Sequence, residues 1–181
     1  MKTKIFSILL ILVGLSGCAT LGGDRTVNVT SNQIAQKLNE KLALPIELMR
    51  IFNINLSNSV VSFNKTTGRM TSSMDTQLSS TLFDKTLNGK LGISGKLRFD
   101  APTQSVVLDE PQIENLDLDG VGGNFSKIFN SLAKTVGKDT LTGLTLYKVK
   151  PEDLKFGSTT YSPKDMQITD NGLQLTLTPQ K

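Results

Sequence analysis

Few residues of this chain could carry covalent chemistry. Its 181 residues include no histidine and a single cysteine, Cys18. Serine-type triads therefore lack their usual base, and a thiol-rich metal site has too few ligands. Serine and lysine are plentiful, so a Ser–Lys dyad remains formally available, but no motif selects one. We expect a protein that is not an enzyme and that needs no metal and no cofactor.

The segment 115–120 has acidic residues in the spacing of a calcium loop. Such a loop begins with Asp and has Glu at its twelfth position, whereas this chain has Asn115 and Ser126 there. Leu116 and Leu118 alternate with the acids. We therefore interpret the segment as the solvated face of a strand.

Two further motifs have simple structural interpretations. Asp109, Glu110 and Glu114 could supply the carboxylates of a glycosidase, but these must flank a cleft at a defined separation. We interpret them as surface acids beside Pro111. The segment 120–123, GVGG, precedes a helical pattern, as dinucleotide-binding loops do. Because the βαβ context is missing, we interpret it as a flexible turn that leads into the helix.

Residues 1–17 have the order of regions of a secretory leader: two lysines, an apolar stretch and small residues. The apolar stretch is shorter than the about 20 residues that cross a bilayer. Residues 15–18, LSGC, resemble the lipobox of bacterial lipoproteins. This resemblance implies that the leader is removed and that Cys18 is fatty-acylated on its sulfur and on its new amine. Several acyl chains would hold the protein firmly at a membrane.

Ala19 follows the lipobox. Enterobacterial lipoproteins with Asp at that position stay in the inner membrane. The absence of Asp here implies that the protein is anchored in the outer membrane and faces the periplasm. Residues 18–25 would be the lipidated N-terminus and a tether, whose six residues from Ala19 to Asp24 reach at most about 20 Å. Residues 26–181 would form one periplasmic domain, long enough to bury a core.

The charge of the chain does not favour nucleic acid as a partner. The whole sequence has 20 basic and 16 acidic residues, and two of the lysines lie in the leader. The remainder has an excess of about two positive charges, which would only weakly favour an anionic surface.

A helix and several long strands are predicted over the first two thirds of the domain. The segment 30–33, TSNQ, is typical of a capping box, and Pro45 is expected to end the helix. Alternation in 52–57 changes phase after Asn58, which predicts a bulge. Residues 64–68 predict a turn, and in the strand after it Met70, Met74 and Leu78 are expected on one face. In 87–100, apolar residues share one face and polar residues share the other, namely Lys90, Ser94, Lys96, Arg98 and Asp100.

The rest of the chain predicts a second helix and a hairpin. The segment 124–136 has a continuous apolar stripe, and Gly137 is expected to cap it. Residues 144–149 and 165–169 predict short strands, and 170–172, DNG, predicts the turn into a returning strand. The fold class is therefore α+β, with a long, curved antiparallel β-sheet wrapped around a helix in one domain.

These segments resemble the YceB-like family of bacterial lipoproteins, known by a domain of unknown function. The resemblance rests on the lipobox, on TSNQIAQKLNEKL, INLSNSVVSF and MQITDNGLQLTL, and most specifically on LNGKLGISGKLRFDAPTQSVVLDEPQIENLDLDG. Such proteins are similar in fold to the tubular lipid-binding (TULIP, BPI-like) proteins. The resemblance implies a groove for acyl chains.

Two functions are compatible with these patterns. In the first, the sheet wraps the second helix incompletely and leaves an apolar groove for a lipid or another hydrophobic ligand. Eight residues would line it: Met70, Met74, Leu91, Ile93, Leu97, Phe99, Phe125 and Phe129. In the second, side chains fill the groove, and the protein is an interaction or scaffold lipoprotein of the cell envelope.

Overall fold

The computed structural model of the chain describes residues 23–48 and 50–180. The predicted leader and Cys18 lie outside the described residues. Neither described helix is long and apolar enough to cross a membrane. In chain order the elements are β1 (Arg25–Thr30), α1 (Ser31–Lys41), β2 (Ile46–Leu48), β3 (Phe52–Asn64), β4 (Arg69–Ser80), β5 (Phe83–Asp100), β6 (Ser105–Leu118), α2 (Gly123–Leu141), β7 (Thr145–Lys148), β8 (Lys155–Phe156), β9 (Thr159–Thr169) and β10 (Gly172–Pro179).

The start of α1 is the capping box that the sequence predicts. The backbone N–H of Gln33 donates to Thr30 Oγ1 at 3.3 Å, and the N–H of Thr30 donates to Gln33 Oε1 at 2.8 Å. The helix ends at Lys41 with Leu42 as its C-cap. Ile34 and Leu38 on its inner face are completely buried.

Strands β2 to β7 form one antiparallel sheet in sequence order. The predicted alternation in β4 is confirmed, because Met70, Met74 and Leu78 are buried while Thr71 and Ser73 are exposed. The predicted phase change in β3 is also confirmed. The register with β4 shifts between Ser57 and Val60. Two further shifts interrupt the pairing of β5 with β6, and such bulges bend strands.

The six-stranded sheet curls around α1. This helix contacts both β3 and β7, which lie towards opposite flanks of the sheet. The second helix, which we expected at the centre of the curl, packs along β6, and its Phe129 also meets Phe52 of β3. The architecture is therefore one of curled antiparallel sheets with two helices, and both helices contact strands towards the two flanks of the large sheet.

A second sheet has the order β1-β10-β9-β8. The hairpin of β9 and β10 turns at Asp170–Asn171, as predicted, and Leu173, Leu175 and Leu177 of β10 are buried. The pairing of β1 with β10, in which Arg25 lies opposite Leu177, was not predicted. Alternation within a strand indicates its faces but not its neighbours.

Helix α2 is longer than the sequence predicts, and Gly137 does not cap it. The helix runs to Leu141, with Thr142 as its C-cap. A Cβ built on Gly137 would lie 2.6 Å from Ile113 Cδ1 of β6. The glycine is therefore present for close packing of helix on strand, not for a left-handed turn.

Ser94 also departs from the predicted pattern. It was expected on the exposed face of β5, but only 2% of its surface is accessible. Arg69 Nη2 donates to its Oγ at 3.0 Å, and the same Oγ donates to Glu114. These two long side chains cover the serine from the solvent side.

The buried apolar residues of both sheets and both helices form one cluster. The buried members that the structure describes lie between Val29 and Leu177. A chain that begins at Gly23 therefore contains all of these residues.

Candidate ligand-binding cleft

Most of the eight residues that we expected to line a groove lie in the packed core. Met70, Met74, Leu91, Ile93 and Leu97 are buried, and Phe99 is partly buried against the same cluster. Phe125 belongs to the first turn of α2, but its side chain lies outside the part of the chain that the structure describes. Phe129, one turn further, is partly buried and reaches an open cleft.

A gap of about 40 Å³ remains between α2 and the inner face of the large sheet. Met74 and Leu91 line it, together with residues of β2, β3, β6 and α2. A water molecule accounts for about 30 Å³ of liquid, so this gap has no room for an acyl chain. The described side chains between α2 and the large sheet therefore leave little free space at this gap.

A larger space opens at one end of the long strands. It has a volume of about 600 Å³, and we call it the apolar cleft. Its walls come from the start of β3, the turn between β4 and β5, the start of β5, the connection from β6 to α2, and the first half of α2. The lining residues are Phe52, Leu82, Lys85, Leu87, Gly120, Val121, Gly122, Ile128, Phe129 and Leu132.

The connection from β6 to α2 forms one wall because of its glycines. Gly120 has a φ of +73°, a conformation that favours glycine, and Gly122 is the N-cap of α2. The interpretation of 120–123 as a turn that leads into a helix is therefore confirmed. A Cβ built on Gly122 would meet no atom within 4 Å, so there is open space beside this wall of the cleft.

Large apolar side chains are exposed at the cleft. Leu82 is 70% exposed and Ile128 is 54% exposed. On the inner side, the rings of Phe52 and Phe129 meet edge to face, with centroids 5.4 Å apart and planes at 81°. Exposed apolar patches at a concave surface mark sites of interaction. The chemistry available here is burial of apolar surface.

The opposite side of β4 to β6 is polar. A shallow polar depression there is lined by Asp75, Lys90, Asp117 and Asp119, among others. Lys90 Nζ donates to Asp75 Oδ1 at 2.8 Å, and this hydrogen bond, with a second from Asn58, lowers the pKa of Asp75 below its usual value of 3.8. Among residues 23–48 and 50–180, no group of three Asp or Glu side chains is arranged to hold a metal ion.

The sequence analysis missed most of the cleft. It selected Phe129 but not Phe52, Leu82, Leu87 or Ile128. For Leu82 the sequence does contain a signal, because it is an apolar residue in a turn, where polar residues are more usual. No pattern in the sequence shows that the turn after β4 and the start of α2 face each other.

The chain was compared with protein families, with curated protein sequences and with solved structures. The family described as "Protein of unknown function (DUF1439)" matches residues 29–171. No curated protein sequence matches the chain. A solved structure titled "Crystal structure of lipopolysaccharide binding protein" is similar, with 11% identity and a TM-score of 0.29. The match covers 86% of this chain and 40% of that one, so this chain spans two fifths of the length of that protein.

Proposed function

Since this chain belongs to the DUF1439 family of proteins of unknown function, we propose its function from its own cleft: it binds a lipid or another hydrophobic ligand there. The observation that carries this proposal is the volume of about 600 Å³ between α2 and the ends of β3 and β5. Sites for small ligands usually measure about 300–1,000 Å³ and have mainly apolar walls.

Burial supplies the binding energy in this proposal. Each methylene group that leaves water contributes about 0.8 kcal/mol. Ten buried methylenes would contribute about 8 kcal/mol before the cost of ordering the ligand. Leu82 and Ile128, now exposed, would be covered by the bound chain, which would remove their own contact with water.

The proposal includes the location inferred from residues 1–25. An acylated Cys18 would anchor the protein to the outer membrane, facing the periplasm, with β1 beginning at Arg25. Lipid ligands would then be available in the same membrane. The lipobox-like segment and the leader-like residues before it support this part of the proposal.

A second candidate is an interaction or scaffold lipoprotein. The lack of free space at the inner gap favours it, because only about 40 Å³ is left between α2 and the large sheet. In that case the exposed residues around the cleft would contact a protein partner. A crosslinked partner that is lost when Leu82 or Ile128 is replaced by a polar residue would favour this alternative.

The test is to purify the chain from Gly23 onward, which contains every buried core residue that the structure describes, and to analyse it by native mass spectrometry. Uptake of a fluorescent fatty acid is measured in parallel. We expect binding in the parent chain and its loss in Val121→Trp, because the indole would occupy the cleft.

Val60→Trp is the matched control. Val60 is 70% exposed on β3 and does not line the cleft, so this variant should bind as the parent does. If the parent carries no lipid and takes up no fatty acid, the proposed ligand function is wrong.

A further inference from the structure

We propose that the apolar cleft selects an anionic amphiphile with one acyl chain, and that Lys85 holds its anionic head. This inference rests on the proposed function, since it concerns the ligand of the same cleft. Of the described residues that line the cleft, Lys85 is the only charged one.

The position of Lys85 in β5 is unusual for a lysine. Its side chain is exposed and lines the cleft together with Leu87, two residues further along the strand. Beyond Leu87, Leu91 and Ile93 of the same strand are buried in the core. A cation therefore stands next to apolar side chains at the edge of the cleft.

Lys85 forms no ion pair with any side chain that the structure describes. Lys65, Lys90 and Lys96, in contrast, each pair with an acid. Asp117 and Asp119 line the polar depression on the opposite side of the sheet. An anionic head would thus meet a positive charge in the cleft that no described acid neutralises.

The start of α2 adds to the same electrostatic preference. The helix begins at the wall of the cleft, and its first turn contains no acidic residue. The N-terminal end of a helix has a partial positive charge. Both features disfavour a cationic head and complement an anionic one.

The volume of the cleft fits one chain. With about 30 Å³ for a group the size of a water molecule, 600 Å³ has room for roughly 20 such groups. That is the size of a single long acyl chain with a compact head. A ligand with several chains would leave most of its apolar surface outside.

The experiment compares two displacers that differ only in the head. The chain from Gly23 onward is loaded with the neutral fluorophore N-phenyl-1-naphthylamine, which is then displaced by oleate or by oleyl alcohol at pH 8. We expect oleate to displace it at a concentration roughly two- to fivefold lower, the range of an exposed charge pair. High salt should reduce this preference. Acetate, a head without a chain, should not displace the fluorophore.

Lys85→Gln should abolish the preference for oleate and leave displacement by oleyl alcohol unchanged. Lys134→Gln is the matched control, since Lys134 lies on α2 beside a different depression near Pro111. Thermal unfolding of each variant verifies that it is folded. The control should keep the full preference.

The outcomes separate the two proposals. If the fluorophore binds but oleate and oleyl alcohol are equivalent, or if Lys85→Gln keeps the preference, the anionic selectivity is wrong and the apolar binding site stands. If the fluorophore does not bind the parent chain at all, the ligand-binding function fails, and the selectivity fails with it.

Discussion

Asn130 of α2 forms two hydrogen bonds with the backbone of Leu116 in β6. The N–H of Leu116 donates to Oδ1 at 2.8 Å, and Nδ2 donates to the carbonyl of Leu116 at 2.9 Å. Strand β7 pairs with β6 only over Ser105–Val107. The amide side chain therefore satisfies backbone groups of β6 where no strand lies on the side away from β5, and it fixes the helix that forms one wall of the cleft.

Asn130→Ala should reduce the free energy of unfolding by about 2–3 kcal/mol, because it leaves backbone groups of the buried Leu116 without partners. Urea unfolding followed by circular dichroism measures the change. Asn124→Ala, the same substitution at an exposed position of α2, is the control and should stay within about 0.5 kcal/mol of the parent. Equal stabilities of the two variants would contradict the assigned role.

Gly137→Ala should destabilise the protein although alanine favours helices. The added Cβ would lie 2.6 Å from Ile113 Cδ1 and 2.7 Å from Cγ1. Overpacking costs about 1–3 kcal/mol, and the gain in helix propensity is about 1 kcal/mol.

Ile113→Val, which removes Cδ1, should recover part of this loss in the double variant. The measurement is the midpoint of thermal unfolding for the two single variants and the double variant. A Gly137→Ala protein that is more stable than the parent would show that helix and strand are not in close contact.

Tyr147 should titrate above its usual pKa of 10.0. Burial raises its pKa most, and Asp153, which accepts a hydrogen bond from the phenol at 3.4 Å, raises it further. The folded protein thus keeps this proton longer than the unfolded chain does. The associated stability is complete below pH 10 and is lost as the pH rises through the raised pKa.

Absorbance at 295 nm follows this titration, since the chain has two tyrosines and no tryptophan. In a Tyr161→Phe background the signal comes from Tyr147 alone. Asp153→Asn should lower the pKa of Tyr147 only in part, because burial remains. An unchanged titration curve would show that Asp153 does not act on the phenol.

The aromatic pair at the cleft should be energetically coupled. Edge-to-face rings at the observed distance contribute about 0.5–1.5 kcal/mol beyond their burial. A double-mutant cycle with Phe52→Leu and Phe129→Leu, measured by urea unfolding, isolates this amount. Additive effects of the two substitutions would mean that the rings pack independently.

The elements that the sequence predicted correctly depend on local chemistry. The cap of α1 needs only Thr30 and Gln33, three residues apart. The buried face of β4 follows from the alternation of Met70, Met74 and Leu78. The bulge near Asn58 follows from a change of phase inside one strand.

The features that the sequence did not predict depend on contacts between distant segments. A glycine after an apolar stripe usually ends a helix. Gly137 instead lies inside α2, where the absence of a side chain lets the helix pack closely against Ile113. Ser94 alternates with the buried residues of β5 and was therefore expected to face solvent. Arg69 and Glu114, which belong to neighbouring strands, cover it. The cleft likewise exists only because the fold places Leu82 and Ile128, which are far apart in the sequence, at the walls of one space.

The pairing of β1 with β10 also constrains the order in which the protein can fold. Arg25 and Leu177 belong to the first and last strands of the described chain, and a chain is synthesised from its N-terminus. Until β10 is made, β1 lacks the strand that completes its backbone hydrogen bonds. Closure of the smaller sheet is therefore a late step, and removal of the last strand would release the first.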